Sequence, residues 1–240
     1  MSALPPFQLD WHFRGVRPLS RVWIVIALVC TLLTAPLALQ RVTASASGPG
    51  IAVIGDSISA RYNDDPGSSD QAWWSVVGRH YGAPVAVFAE SGSGYSRAGR
   101  HCTGTRFVDR LAAVDEARPK VVIVEGGRND WAFCTGGSYS ETTDTMVRTA
   151  VDRFLTTLQV TVDPQTKIIV LGPPWGPSNA SQQSRITSII KASADRHQVM
   201  FIDTQGVFEG GHTVDGTHPD LAGSLELGKR VIEAMGPHLP

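Results

Sequence analysis

Five short apolar runs, each followed by an amphipathic stretch, leave this chain few ways to fold. The runs predict strands over 51–55, 84–88, 120–125, 167–172 and 199–203. The last four are rich in Val and Ile and almost continuous in apolar character. That suits strands covered on both faces of a sheet. Amphipathic stretches over about 70–81, 106–117, 140–160, 181–197 and 219–235 predict helices in the gaps. In the fourth, Ile186, Ile189, Ile190 and Ala194 recur near helical spacing. In the last, Pro219 is expected as the first helical residue. Leu221, Leu225, Val231, Ile232 and Met235 then form much of one face, and Gly236-Pro237 ends the helix. Strands alternating with helices imply βαβ units and a parallel sheet. There is no internal repeat and no second core. Residues 51–240 are expected to form one three-layer α/β/α domain around a parallel five-stranded sheet.

The segment before this domain is different. Arg14, Arg17 and Arg21 close a short basic tail, 1–21. An almost uncharged apolar run, 22–39, follows, and a small-residue linker, 40–50, ends the segment. The run approaches the ~20 residues that span a bilayer, and predicts an N-terminal hydrophobic helix. Ala44-Ser45-Ala46 also resembles a signal-peptide cleavage site. An uncleaved membrane anchor and a cleaved signal both stay open. Either way the basic flank remains inside and the domain is exported, membrane-anchored or secreted. A formal net charge of −1, with no basic stripe, excludes nucleic acid as a partner. Cys30 lies within the apolar run, and Val29 before it argues against a lipid-modified cysteine. Cys102 and Cys134 remain, in an exported domain where disulfides persist, and are expected to pair.

The first strand runs straight into Gly55-Asp56-Ser57. Open α/β sheets bind ligands at the carboxyl ends of their strands, so Ser57 is a candidate nucleophile. A serine hydroxyl needs a base within hydrogen-bond reach. Asp215-Gly216-Thr217-His218-Pro219 supplies one, because residues three apart in a turn can face each other. Asp215 would hold one imidazole nitrogen of His218 and leave the other for the Ser57 proton. Acyl transfer also requires donors aimed at the developing oxyanion. Candidates are the backbone N–H of Ser57, the Asn129 side chain after the third strand, and a backbone N–H of the glycine-rich segment 91–94 after the second. Trp73 and Trp74 lie on an amphipathic helix and are expected in the core. Trp131, Phe133 and Trp175 sit at strand ends, where aromatics can line an acyl or sugar pocket. His212 has no second ligand at metal spacing, so neither a metal nor another cofactor is expected.

Four blocks in order carry a resemblance: Gly55-Asp56-Ser57-Ile58, the glycines at 92–94, Gly126-Gly127-Arg128-Asn129-Asp130 and Asp215-x-x-His218. Together they resemble the SGNH hydrolases, also called GDSL esterases/lipases, over nearly all of 51–240. The resemblance implies a flavodoxin-like fold and ester hydrolysis through an acyl-enzyme. It implies Ser57 as nucleophile, His218 as base and Asp215 as its orienting partner. Gly92, Asn129 and the Ser57 amide would form the oxyanion hole. Three positions depart from the family pattern. Ile58 replaces the usual Leu at similar volume, and Glu90 stands where the family has Asn. The Gly92–Gly94 spacing is one residue shorter than the common form, which leaves Ser91 or Gly94 open as the donor in place of Gly92. The Gly-x-Ser-x-Gly nucleophile elbow is absent, which argues against an α/β-hydrolase proper. The expected function is an exported serine esterase acting on a short-chain acyl ester, a lipid or an acylated cell-envelope sugar. An O-acyltransferase using the same triad on an envelope glycan is the alternative. A non-catalytic envelope-binding module is a third reading.

Overall fold

The computed structural model describes residues 50–61, 69–175 and 180–239. The tail 1–21, the hydrophobic segment 22–39, nearly all of the linker and Cys30 lie outside these residues. In chain order the strands are β1 (Ile51–Gly55), β2 (Val85–Ala89), β3 (Val121–Glu125), β4 (Ala132–Thr135), β5 (Ser138–Glu141), β6 (Lys167–Leu171) and β7 (Met200–Ile202). The helices are α1 (Ser57–Ala60), α2 (Trp73–Tyr81), α3 (Leu111–Glu116), α4 (Asp144–Thr161), α5 (Ala180–Arg196) and α6 (Leu221–Met235).

The five apolar runs form one parallel sheet in the order β2-β1-β3-β6-β7. Ile51 pairs with Val85 on one side and Val121 on the other, and Val121 pairs with Lys167. Alternate residues of each strand face opposite layers. Ala52, Ile54, Val122, Val124 and Val170 pack with Val151, Phe154 and Leu155 of α4 and with Ile186 and Ile190 of α5. Ile51, Val53, Val121, Ile123 and Ile169 pack with Trp73 and Val77 of α2 and with Leu227 and Val231 of α6. Each fully buried Val, Leu or Ile side chain stabilises the fold by about 1.5–3 kcal/mol. With both faces covered, the strands need no polar positions, which explains their unbroken apolar sequence. This is the flavodoxin-like three-layer arrangement. Strand order reverses direction between β1 and β3, and the crevice at their carboxyl ends is the switch point where such sheets place ligands.

Two expectations about helices need correction. The stretch 140–160 does not begin as a helix. Residues 132–141 form the antiparallel hairpin β4–β5, with Thr135 paired to Ser138. Gly136 and Gly137 turn the chain at φ +56° and +82°. Positive φ at both central residues is what a two-residue hairpin turn demands. Helix α4 starts only after Thr143, whose hydroxyl accepts from Met146 N at 3.3 Å. The last helix starts at Leu221, not at Pro219. Asp220 caps it by accepting from Gly223 N at 2.8 Å, while Pro219 bridges back to Thr213. The Asp220 side chain thereby satisfies an orphan N–H of the first turn.

Candidate active site

At the end of β1, Asp56 caps α1 and its Oδ1 accepts from Ile58 N at 2.9 Å. Ser57 is thereby set in the first helical turn, where backbone N–H groups have no intrahelical acceptor. The turn is seated from below. Ser59 Oγ donates to Glu125 Oε2 at 2.7 Å and accepts from Trp73 Nε1 at 3.2 Å. Trp74 Nε1 donates to Ser59 O at 2.9 Å. A Cβ at Gly55 would strike the Ser59 hydroxyl, so strand and helix approach this closely only through glycine. Trp73 and Trp74 are buried as expected, and their indole N–H groups hold the turn that carries Ser57.

Asp56 and Glu125 are both fully buried. Burial pushes the Asp56 carboxyl up to about 6, against the lowering influence of the Ile58 N–H, Arg128 and His218. Burial, and then the neighbouring Asp56, hold Glu125 well above the usual carboxylate range, although the Ser59 hydroxyl bond lowers it. Arg110 closes the ends of two strands. Its Nη1 donates to Gly55 O at 3.0 Å and Phe88 O at 2.7 Å, and its Nη2 to Ser93 Oγ at 2.9 Å. Burial draws this guanidinium down to about 10.

The turn before α6 brings the second pair of groups. His218 Nδ1 lies 2.7 Å from Asp215 Oδ2, and His218 N donates to Asp215 Oδ1 at 2.8 Å. Thr217 N donates to the same oxygen at 3.0 Å. Burial alone would raise the Asp215 carboxyl, but the bonds from His218 and Thr217 outweigh it and lower it to about 2. Ser57, Ser91, Asp215 and His218 line one cavity of about 260 Å³, together with Ala60, Arg61 and Arg100. No hydrogen bond closes between Ser57 and His218 among the described residues. In free enzymes such bonds are often long and tighten with substrate.

The donor groups are more constrained than sequence suggests. Asn129 Nδ2 donates to Ser93 O at 2.9 Å and to Asp56 Oδ2 at 3.2 Å. Both acceptors require the amide nitrogen on that side, so the amide already serves two acceptors. An incoming oxyanion must share the amide with them or displace one. In the second block, Ser93 N donates to Glu90 O at 3.2 Å and Gly94 N to Arg97 O at 3.0 Å. That removes Gly94 as a donor and leaves Ser91 and Gly92. Gly92 has φ +78°. A Cβ there would meet Arg100 N at 2.8 Å, so only glycine fits. Asp130 locks this loop to the Asn129 block by accepting from Tyr95 N at 3.0 Å and Ser96 N at 2.7 Å.

Trp131 and Trp175 line a second cavity of about 400 Å³ with Arg128, Asn129 and Gln182. Trp131 is 42% exposed and Trp175 only 4%. The Arg128 guanidinium stacks 4.5 Å from the Trp175 ring centre, and its Nη2 donates to Thr217 Oγ1 at 2.9 Å. One arginine thus ties the β3 loop to the turn that carries His218. Phe133 is part of β4 and lines neither cavity. The sulfurs of Cys102 and Cys134 lie at bonding distance, with Cα atoms 5.5 Å apart, which suits a disulfide. Sequence reasoning missed the roles of Arg61, Arg100, Arg110 and Glu125. Only their positions in space distinguish them from ordinary surface or strand-end charges.

The model of the GDSL-like lipase/acylhydrolase family matches residues 53–224. Esterase TesA of Pseudomonas aeruginosa is 28% identical over 216 residues, covering 87% of this chain and 98% of its own. Among solved structures, the native M. smegmatis aryl esterase has a TM-score of 0.60 at 20% identity, covering 76% of this chain and 96% of that one. Est24, a carbohydrate acetylesterase from Sinorhizobium meliloti, has a TM-score of 0.59 at 18% identity, covering 75% and 95%.

Proposed function

The chain belongs to the GDSL-like lipase/acylhydrolase family as a hydrolase of ester bonds, and on that premise we propose that Ser57, His218 and Asp215 are its catalytic triad. The observation that carries this reading is the 2.7 Å contact between Asp215 and His218 Nδ1 in the cavity that Ser57 also lines. With Nδ1–H held by the carboxylate, Nε2 is left as the base. Ser57 Oγ attacks the ester carbonyl and His218 Nε2 takes its proton. The oxyanion accepts from the Ser57 N–H and from the N–H of Gly92, and Asn129 turns one amide proton towards it. Collapse expels the alcohol, protonated by His218. Water activated by the same nitrogen then releases the acid. The triad is open to solvent: the His218 side chain is 22% exposed and that of Asp215 51%. Water therefore reaches the acyl-enzyme readily, which favours hydrolysis over transfer to a glycan hydroxyl.

The Ser57→Ala variant is expected to lose hydrolysis of p-nitrophenyl acyl esters and labelling by a fluorophosphonate, while keeping its circular dichroism spectrum. Turnover retained by that variant would refute the triad. The substrate is a small acyl ester, or an acylated sugar or lipid whose alcohol part lies over Trp131. Arginine flanks before 22–39 and a cysteine pair suited to an oxidising compartment support an exported domain. Protease added to intact cells should then reach the domain; full protection until lysis would end that reading.

A further inference from the structure

The cavity beside Ser57 is lined by a cation, Arg100, that ester hydrolysis does not require. Among the described residues its lining holds Arg100 and one carboxylate, Asp215, while Arg61, also in the lining, has a partner of its own. That carboxylate is committed to His218 and Thr217. The other acids near it among the described residues point elsewhere. Asp56, Glu125 and Asp130 are buried, and Glu90 accepts from Thr105 N and Oγ1. Arg100 is exposed, and among the described residues its guanidinium makes no hydrogen bond or ion pair.

The chain goes to some length to place it. Gly99, His101 and Cys102 all have left-handed φ, at +64°, +57° and +60°. Two of these are not glycine, and such residues persist there only when their surroundings over-determine them. The surroundings do so here. Cys102 lies at bonding distance from Cys134 of β4, and His101 N donates to the Tyr139 hydroxyl of β5 at 2.8 Å. The Arg100 backbone rests on Gly92, where no side chain would fit.

We propose that Arg100 is a specificity-determining residue that selects esters bearing a second, anionic oxyacid group close to the scissile carbonyl. A guanidinium offers a planar fork of donors that matches carboxylate and phosphate oxygens. The inference rests on the esterase reading of Ser57 and narrows its substrate class.

Matched pairs of esters test it, followed by pH-stat in the full-length protein. Methyl 4-acetoxybenzoate against 4-acetoxybenzoate puts a carboxylate on the alcohol side. Monoacetylglycerol against acetylglycerol 3-phosphate puts a phosphate there. Phenyl butyrate against phenyl hemisuccinate puts a carboxylate on the acyl side. The readout is the ratio of kcat/KM for the charged member over the neutral one. In at least one pair the wild-type ratio should exceed that of Arg100→Ala by about fivefold, the scale of one partly exposed ion pair. Arg100→Lys should keep part of the preference, and Arg100→Glu should fall below Arg100→Ala. High salt should move the wild type towards Arg100→Ala. The same charged-to-neutral ratio in wild type and Arg100→Glu across all three pairs, with the neutral esters still hydrolysed, would overturn the assignment of Arg100 alone. A wild type that hydrolyses no member of any pair would overturn the esterase reading and this inference with it.

Discussion

Behind Ser57 the protein buries two carboxyl groups within reach of each other's field, Asp56 and Glu125. Burial raises both above their values in an unfolded chain, Asp56 to about 6. In an unfolded chain they would lose their protons near pH 4. Above that pH the folded state holds protons that the unfolded state has released. Stability therefore falls as pH rises from about 4 through about 6 on account of Asp56, and continues to fall above the ordinary carboxylate range on account of Glu125. Asp215 works in the opposite sense. Its carboxyl is lowered to about 2, so its contribution is present above about pH 4 and is lost as pH drops towards 2. The Glu125→Gln variant keeps the shape of the side chain and removes one raised acid. Its urea midpoint should fall less steeply between pH 4 and 6 than that of the wild type. An unchanged slope would show that Glu125 does not hold the proton. The gain from this buried pair is positional. Asp56 caps α1 and also holds the Asn129 amide, so the Ser57 turn and that amide share one anchor.

At the scale of elements, the hairpin β4–β5 and the loop 98–105 act as one clamp over the second block. The loop touches Gly92 on one side and the hairpin on the other through His101, Cys102, Tyr139 and Cys134. Arg97 adds a contact, with its guanidinium 3.9 Å from the Tyr139 ring centre. Because Cys102 and Cys134 are 32 residues apart, a disulfide between them would stabilise the fold by about 3–4 kcal/mol through loop closure. The Cys102→Ser/Cys134→Ser variant should melt at lower temperature and lose kcat/KM on p-nitrophenyl acetate, because the Gly92 amide loses its backing. Unchanged melting and turnover would mean that the clamp is decorative. The hairpin was legible in principle. A Gly-Gly pair between Phe133-Cys134-Thr135 and Ser138-Tyr139 is a known two-residue turn signal. Residues 132–139 carry no signal strong enough to displace a helix expected from 140, because the two strands are short and lack apolar alternation.

For the whole molecule, sheet order does what no single block can. The order β2-β1-β3-β6-β7 places the ends of β1 and β3 side by side. Ser57 and Asn129, 72 positions apart in the chain, therefore flank one crevice, with the 91–94 loop of β2 on the outer side. The turn before α6 reaches this crevice because α6 packs on α2, whose Trp73 seats the Ser57 turn. The layer that forms half the core is thus the same one that brings His218 to the cavity lined by Ser57.

What the sequence determined by itself is local. Continuous Val and Ile runs dictate buried parallel strands, because a strand covered on both faces has no position for a polar side chain. Gly55-Asp56-Ser57 and Asp215-x-x-His218 are legible because their key contacts, Asp56 to Ile58 N and Asp215 to His218, span only two and three residues. Tertiary structure alone decided the rest: that the Asn129 amide is held by Ser93 and Asp56, that Glu125 lies beneath the Ser57 turn and that Arg100 lines its cavity. Each of these depends on groups whose partners come from a different strand or loop. Their chemistry is set by burial and distance, which exist only once the layers have packed.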